Sequence, residues 1–274
     1  MAMKGRIVFV TGSTDGIGLE TARELATMGA TVLVHARNAG RGKEAMLFLE
    51  EAVPRGDFDL FTGDLGDLNE VKKMGLAVAK KYPSIDVLIN NAAVIRKKRE
   101  LSANGIEMTF QVNHLSHFLL TQLLLDSLRR SPQGRIVNVS SMVHQSAKFS
   151  LDNIQGEKHY SGYNAYCCSK LVNMLFTVRL AEILADEPVT VNGLHPGVIR
   201  TKLLKAAGGG DMGGTLAKGA STSVYMASSD EVKGVSGKYF VNSKPAPAAP
   251  IVFDRHLQDE VWNESERLTK EFSV

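Results

Sequence analysis

Short runs of β-branched and aromatic residues alternate with stretches of helical spacing from residue 7 to about residue 195, and no other feature limits the fold so tightly. Strand-like segments fall at 7–10, 31–35, 57–63, 86–90, 135–139 and 189–195. Between them, 17–28, 41–51, 69–82, 106–130 and 163–185 place apolar residues at the period of a helix. Strands joined through helices make right-handed crossovers, which predicts a mostly parallel sheet with helices on both faces. No compositional break interrupts the pattern, so a single doubly wound α/β domain of Rossmann type is expected over 1–274. Beyond residue 195 the signal weakens. The segment 203–215, with three consecutive glycines, reads as a mobile loop, 244–250 as a Pro/Ala linker, and 254–271 as an amphipathic helix.

Charge narrows the partners. The 32 Lys and Arg are interspersed with 29 Asp and Glu, for a net +3 over 274 residues. The one basic run, Arg96-Lys97-Lys98-Arg99, has no aromatic interleaving and reads as a solvated loop, so no nucleic-acid partner is expected. The only cysteines, Cys167 and Cys168, are adjacent, which suits neither a structural disulfide nor a zinc site; no metal is expected. A reducing compartment fits that usage. The first residues run directly into a strand, and no stretch of about 18 apolar residues occurs. Those features together predict a cytoplasmic protein with neither a signal peptide nor an integral membrane segment. An apolar face around Leu257 and Val261 leaves peripheral membrane contact open, as a homo-oligomer is left open.

The first strand leads into Thr11-Gly12-Ser13-Thr14-Asp15-Gly16-Ile17-Gly18. In such a turn Gly12 permits the tight bend, Gly16 lets backbone approach a pyrophosphate, and Gly18 allows close helix packing. The N–H groups at the helix start attract phosphates. Gly12, Ser13, Asp15, Gly16, Ile17 and Gly18 are therefore candidate cofactor contacts. After the second strand, where an acid would bond a ribose 2′-hydroxyl, stand Ala36 and Arg37. A guanidinium there suits a 2′-phosphate, which favours NADP(H) over NAD(H). Asp15 works against that phosphate.

Tyr166 and Lys170 lie four residues apart, on one face of a helix. An ammonium beside a phenol would lower the tyrosine's pKa from about 10 and tune it for proton transfer to a carbonyl. Tyr163 is a decoy without a lysine one turn on.

Together these residues resemble the short-chain dehydrogenase/reductase family over about 4–243. The likeness rests on the glycine turn, Asp64-Leu65, Asn90-Asn91-Ala92, Asn113, Asn138-Val139-Ser140-Ser141, the Tyr166–Lys170 pair and His195-Pro196-Gly197. The resemblance implies Tyr166 as acid/base and Lys170 as the group that lowers its pKa and holds the nicotinamide ribose. It implies Ser141 as the hydrogen-bond donor to the substrate carbonyl, with Ser140 structural, and Asn113 as the holder of a water in a relay to Lys170. Asp64 and Leu65 would border the adenine, Asn91 and Ala92 the ribose side. Pro196, Gly197, Val198 and Thr201 would close the nicotinamide end. Within the family the chain is similar to the retinol-dehydrogenase and WW-domain-oxidoreductase branch, with two departures. Ala93 replaces a glycine, and the membrane anchor of many retinol dehydrogenases is absent.

These expectations add up to a carbonyl reductase or alcohol dehydrogenase for a moderately apolar aldehyde, ketone or alcohol. Its substrate loops would be 142–160 and 198–215, with Phe149, Leu151, Leu203 and Leu204 as the wall. The alternative is a dinucleotide-binding redox sensor or partner platform without turnover.

Overall fold

The computed structural model describes residues 2–210 and 212–273, so Asp211, within the 203–215 loop expectation, lies outside the described residues. The chain runs β1 (Ile7–Val10), α1 (Gly16–Thr27), β2 (Thr31–Ala36), α2 (Ala39–Ala52), β3 (Asp57–Thr62), α3 (Leu68–Lys81) and β4 (Val87–Asn90). Next come α4 (Met108–Phe110), α5 (Ser116–Arg129), β5 (Gly134–Val139), α6 (Gly162–Ile183) and β6 (Val189–His195). The last elements are α7 (Lys202–Ala206), α8 (Leu216–Ser228), β7 (Tyr239–Val241), β8 (Lys244–Ala246) and α9 (Arg255–Thr269).

Among the described residues the strands form one sheet in the order β3-β2-β1-β4-β5-β6-β7-β8. Every neighbouring pair is parallel except β7 and β8. The chain winds outward from β1 to β3, then returns to place β4 on β1's other side. That reversal leaves a crevice at the carboxyl ends of β1 and β4, where open α/β sheets hold ligands. The central strands β1, β2 and β4 read as near-continuous apolar runs because both faces are covered. One face packs against α1, α2 and α8 through residues such as Leu25, Val34 and Ala220. The other packs against α3, α5, α6 and α9, where Phe118 meets Trp262 edge-on at 5.1 Å and Phe176 at 5.4 Å.

Three expectations change, and one helix has no counterpart among them. The stretch 106–130 is not one helix. Glu107 caps α4 by accepting the Thr109 and Phe110 N–H groups, and a widened π turn at Gln111–Leu115 precedes α5. The 203–215 loop contains most of α7, whose start is capped by the Thr201 hydroxyl accepting from the Leu204 N–H. The segment 216–228 is α8, whose small residues fit it against α1: a Cβ at Gly219 would lie 2.9 Å from Ile17. Small residues weaken the apolar periodicity that marks a helix. The supposed linker contains β8, which turns back on β7 through Asn242 and Ser243, both left-handed at φ 51° and 59°. Pro245 is tolerated because β8 is the sheet edge.

Candidate active site

At the sheet reversal lies a cleft of about 630 Å³, within the size of ligand sites. Its phosphate end is the glycine turn. Gly12 is left-handed at φ 64°, and a Cβ there would lie 2.9 Å from Ala92. Gly18 has no room at all: a Cβ would meet the Gly12 carbonyl at 2.3 Å and Asn91 Nδ2 at 2.4 Å. So Gly18 packs against the turn and Asn91. A side chain at either position would push the backbone away from any phosphate.

A histidine clamps this turn. The Gly12 N–H donates to His35 Nδ1 at 2.8 Å, which leaves the ring proton on Nε2 to donate to the Gly63 carbonyl at 2.8 Å. Burial holds His35 below the usual histidine range, in keeping with a neutral ring. Ser13 corrects an expectation: it is buried, its hydroxyl donating to Val10 O and accepting from His35 N, both at 2.8 Å. Its side chain is thereby turned from the cleft, and Thr14 lines the wall instead. Asp15 caps α1 through the Gly16 N–H and pairs with Lys202 of α7 at 2.5 Å. The lysine offsets the carboxylate's repulsion of a phosphate.

Gly12, Asp15, Gly16, Ile17, Gly18, Arg37, Asp64, Leu65, Asn91, Ala92, Tyr166, Lys170, Pro196 and Thr201 line the cleft together. Gly197, Val198, Asn113 and Ser141 are not among its lining residues. The sequence reading passed over Arg41, Arg96, Arg200 and Lys202 as cleft residues. Arg41 had a signal. It follows Arg37 by four residues, and its N–H is capped by Asn38 at the start of α2, which puts two guanidiniums beside one helix N-terminus. Of the expected apolar wall only Leu203 faces the cleft; Phe149 and Leu151 pack against the core, and Leu204 covers Gly209.

At the other end α6 presents Tyr166 and Lys170. The Lys170 Nζ sits 5.6 Å from the Tyr166 ring centre and donates to the Val139 carbonyl at 2.8 Å. Burial pushes the Lys170 ammonium down to about 7 and pushes the Tyr166 phenol up, with Cys167 adding to the latter. The expected lowering of the tyrosine by its lysine is therefore absent from the protein's own field. Both groups are held toward their neutral forms. Ser140 ties β5 to α6 by donating to the Lys170 carbonyl at 2.8 Å, and of the two serines it is Ser140 that lines the cleft. Ser141 caps the 3₁₀ turn Met142–Ser146.

Asn113 lies in the π turn, fully buried. Its amide accepts from Val94 N at 2.7 Å and donates to Val94 O at 2.9 Å and to Ser169 Oγ at 3.0 Å. Its carbonyl accepts from Asn173 Nδ2 at 2.9 Å and from His117 Nδ1 at 3.1 Å. The other His117 nitrogen then accepts from Thr11 Oγ1 at 2.9 Å, while that oxygen also takes the Asn91 and Ala92 N–H groups. One ring joins the π turn, the glycine turn and the Asn91 segment. Burial drives His117 down to about 3, so the ring stays neutral.

The arrangement can bind a dinucleotide at one end and move a proton at the other. Among the described residues no helix is long and apolar enough to cross a membrane. The family pattern for short chain dehydrogenases matches residues 6–210. The human protein named Retinol dehydrogenase 14 is 36% identical over 289 aligned residues, covering 96% of this chain and 86% of that one. A crystal structure of an uncharacterized protein from Mycobacterium paratuberculosis superposes with a TM-score of 0.82 at 32% identity, covering 97% of this chain and 94% of its own. A short chain dehydrogenase from Escherichia coli complexed with NADPH superposes with a TM-score of 0.73 at 26% identity, covering 89% and 98%. Glycine turn, tyrosine–lysine pair and likeness along nearly the whole length agree, and the chain belongs to the short-chain dehydrogenase/reductase family of oxidoreductases.

Proposed function

We propose that the protein uses NADP(H) to interconvert a moderately apolar aldehyde or ketone and its alcohol. One observation carries the reading: Tyr166 and Lys170 stand on one face of α6, in the same cleft as the glycine turn and the Arg37–Arg41 pair. The N–H groups opening α1 would take the pyrophosphate, and Arg37 and Arg41 the 2′-phosphate. Asp64 and Leu65 would border the adenine, Asn91, Ala92 and Lys170 the riboses, and the segment from Pro196 to Thr201 the nicotinamide. The cofactor supplies the hydride. Tyr166 supplies the proton, and a phenol that burial keeps protonated is suited to giving it to a carbonyl. Ser141 hydrogen-bonds that carbonyl, and Asn113 holds the Val94 wall to α6. The relatives' names, and the NADPH carried by the Escherichia coli neighbour, agree with this reading. All four catalytic side chains are present, so nothing specific favours a binding platform without turnover.

The test is consumption of NADPH and NADH over a panel of aldehydes, ketones, steroids and retinoids, beside direct binding of both cofactors. NADPH-dependent reduction of apolar carbonyls is expected. Tight NADPH binding with no turnover across the panel would contradict the reading.

A further inference from the structure

Two buried histidines outside the cleft have tautomers that can be read from their partners. The Ala249 N–H donates to His144 Nε2 at 3.0 Å. An N–H only donates, so Nε2 is bare, and the neutral ring carries its proton on Nδ1, which donates to the Ser141 carbonyl at 2.6 Å. On the other side of the site, Asn173 donates its amide N–H to the Asn113 carbonyl, so its Oδ1 faces His114 Nδ1 at 3.2 Å. That nitrogen carries the proton, so His114 Nε2 is an acceptor, and at 2.8 Å it shares the one hydroxyl proton of Ser265 on α9 with the Val261 carbonyl at 2.7 Å. Ala249 and Ser265 lie beyond residues 6–210 that match the family pattern, yet each ends a two-bond or three-bond path to the backbone of a proposed catalytic residue.

Packing alone does not call for imidazoles here. His114 stacks on Phe110 at 5.5 Å and meets Phe176 edge-on at 5.8 Å, surroundings that a phenyl ring would fill as well. His144 likewise meets Tyr239 edge-on at 4.8 Å. A buried polar ring costs stability unless both nitrogens are satisfied, and what it adds is two directed bonds.

We propose that the C-terminal segment is part of the catalytic device, with His144 and His114 as positioning residues through which Ala249 and Ser265 hold Ser141 and Asn113. The proposal rests on the roles given to those two residues above. Neither histidine lines the cleft. His144 fixes the Ser141 carbonyl directly and His114 fixes the Asn113 carbonyl through the Asn173 amide, and so each aims the side chain or the wall that carbonyl's residue provides.

Ala249→Pro breaks the first link. Ala249 has φ −57°, which a proline ring adopts, but the ring Cδ takes the place of the hydrogen aimed at His144 Nε2, so the substitution removes the bond and also pushes the imidazole aside; His144→Phe and His144→Asn test the link without that displacement. Ring-nitrogen NMR at neutral pH should find His144 of the wild type as the Nδ1–H tautomer and find that tautomer released in Ala249→Pro. Turnover of an accepted carbonyl should fall about fivefold in Ser265→Ala, the weight of one lost hydrogen bond, and by at least that much in Ala249→Pro and in His144→Phe, where the ring's second bond is also disturbed or lost. NADPH affinity should stay within about twofold, because the glycine turn is untouched. His144→Asn, which keeps a donor toward Ser141, should recover most of the loss that His144→Phe causes. An Nε2–H tautomer in the wild type, or wild-type turnover in Ala249→Pro and Ser265→Ala, would overturn the proposal alone. A wild type that reduces no carbonyl would overturn the functional reading and the proposal with it.

Discussion

The phosphate end of the cleft and its substrate end are built from different kinds of sequence. The phosphate end is backbone geometry, concentrated within eight consecutive residues, where Gly12 and Gly18 are required because no side chain fits. The end proposed for the substrate draws on side chains far apart in the chain: among the cleft's lining residues, Val94 and Arg96 follow β4, Tyr166 lies on α6, Leu203 on α7 and Leu216 on α8. A backbone site tolerates little change and identifies itself. A side-chain site is free to vary, which is where specificity resides.

The largest effect that sharpens this contrast belongs to Tyr166. Tyr166→Phe keeps the ring and its packing and removes the proposed proton donor, so turnover should fall by about 10²–10⁴ with NADPH affinity nearly unchanged. Tyr163→Phe should cost little, because Tyr163 is exposed and does not line the cleft. Equal losses in the two variants would remove the basis for assigning Tyr166.

At the opposite end, Arg37→Ala should weaken NADPH binding about tenfold and leave NADH nearly unaffected, since a charge-assisted bond contributes about 1.5–3 kcal/mol and Arg41 remains. The double change with Arg41→Ala should approach about a hundredfold. Cofactor titrations check both. A wild type that binds NADH as tightly as NADPH would break the assignment of this end to a 2′-phosphate.

The smallest effect concerns the scaffold joining the ends. Burial lowers His114 to about 4 and His117 to about 3, below the ordinary value of about 6.5. Below that ordinary value the unfolded chain takes up protons that the folded protein refuses, so stability is lost as pH falls. The loss begins near pH 6.5 and continues to about 4 and about 3 for the two groups. Each ring should cost about 2 kcal/mol by about pH 5. Denaturant unfolding at several pH values measures the slope, and His114→Phe should reduce it. An unchanged slope in that variant would show that His114 titrates normally.

Tyr166, Lys170 and the glycine turn were legible because their geometry is set within one element or one turn. Ser13 was misplaced because the direction of its hydroxyl depends on β2, 22 residues away. Helix α8 escaped because its small residues pack closely without a strong apolar period, and β8 because Pro245 disguises an edge strand. Least legible were the histidines. His144 and Ala249 are 105 residues apart, and His114 and Ser265 are 151 apart. No local spacing marks such a pair, so only the folded chain makes one side chain the reason for the other.

The central claim, that this cleft transfers hydride to a carbonyl, is tested most directly with NADPH carrying deuterium at C4 of the nicotinamide. Incubation of the wild-type protein with an apolar aldehyde and each of the two C4-labelled forms of the cofactor should place deuterium on the carbonyl carbon of the product alcohol from one form only. Bound NADPH that yields no labelled alcohol from either form, with any carbonyl offered, would contradict the account.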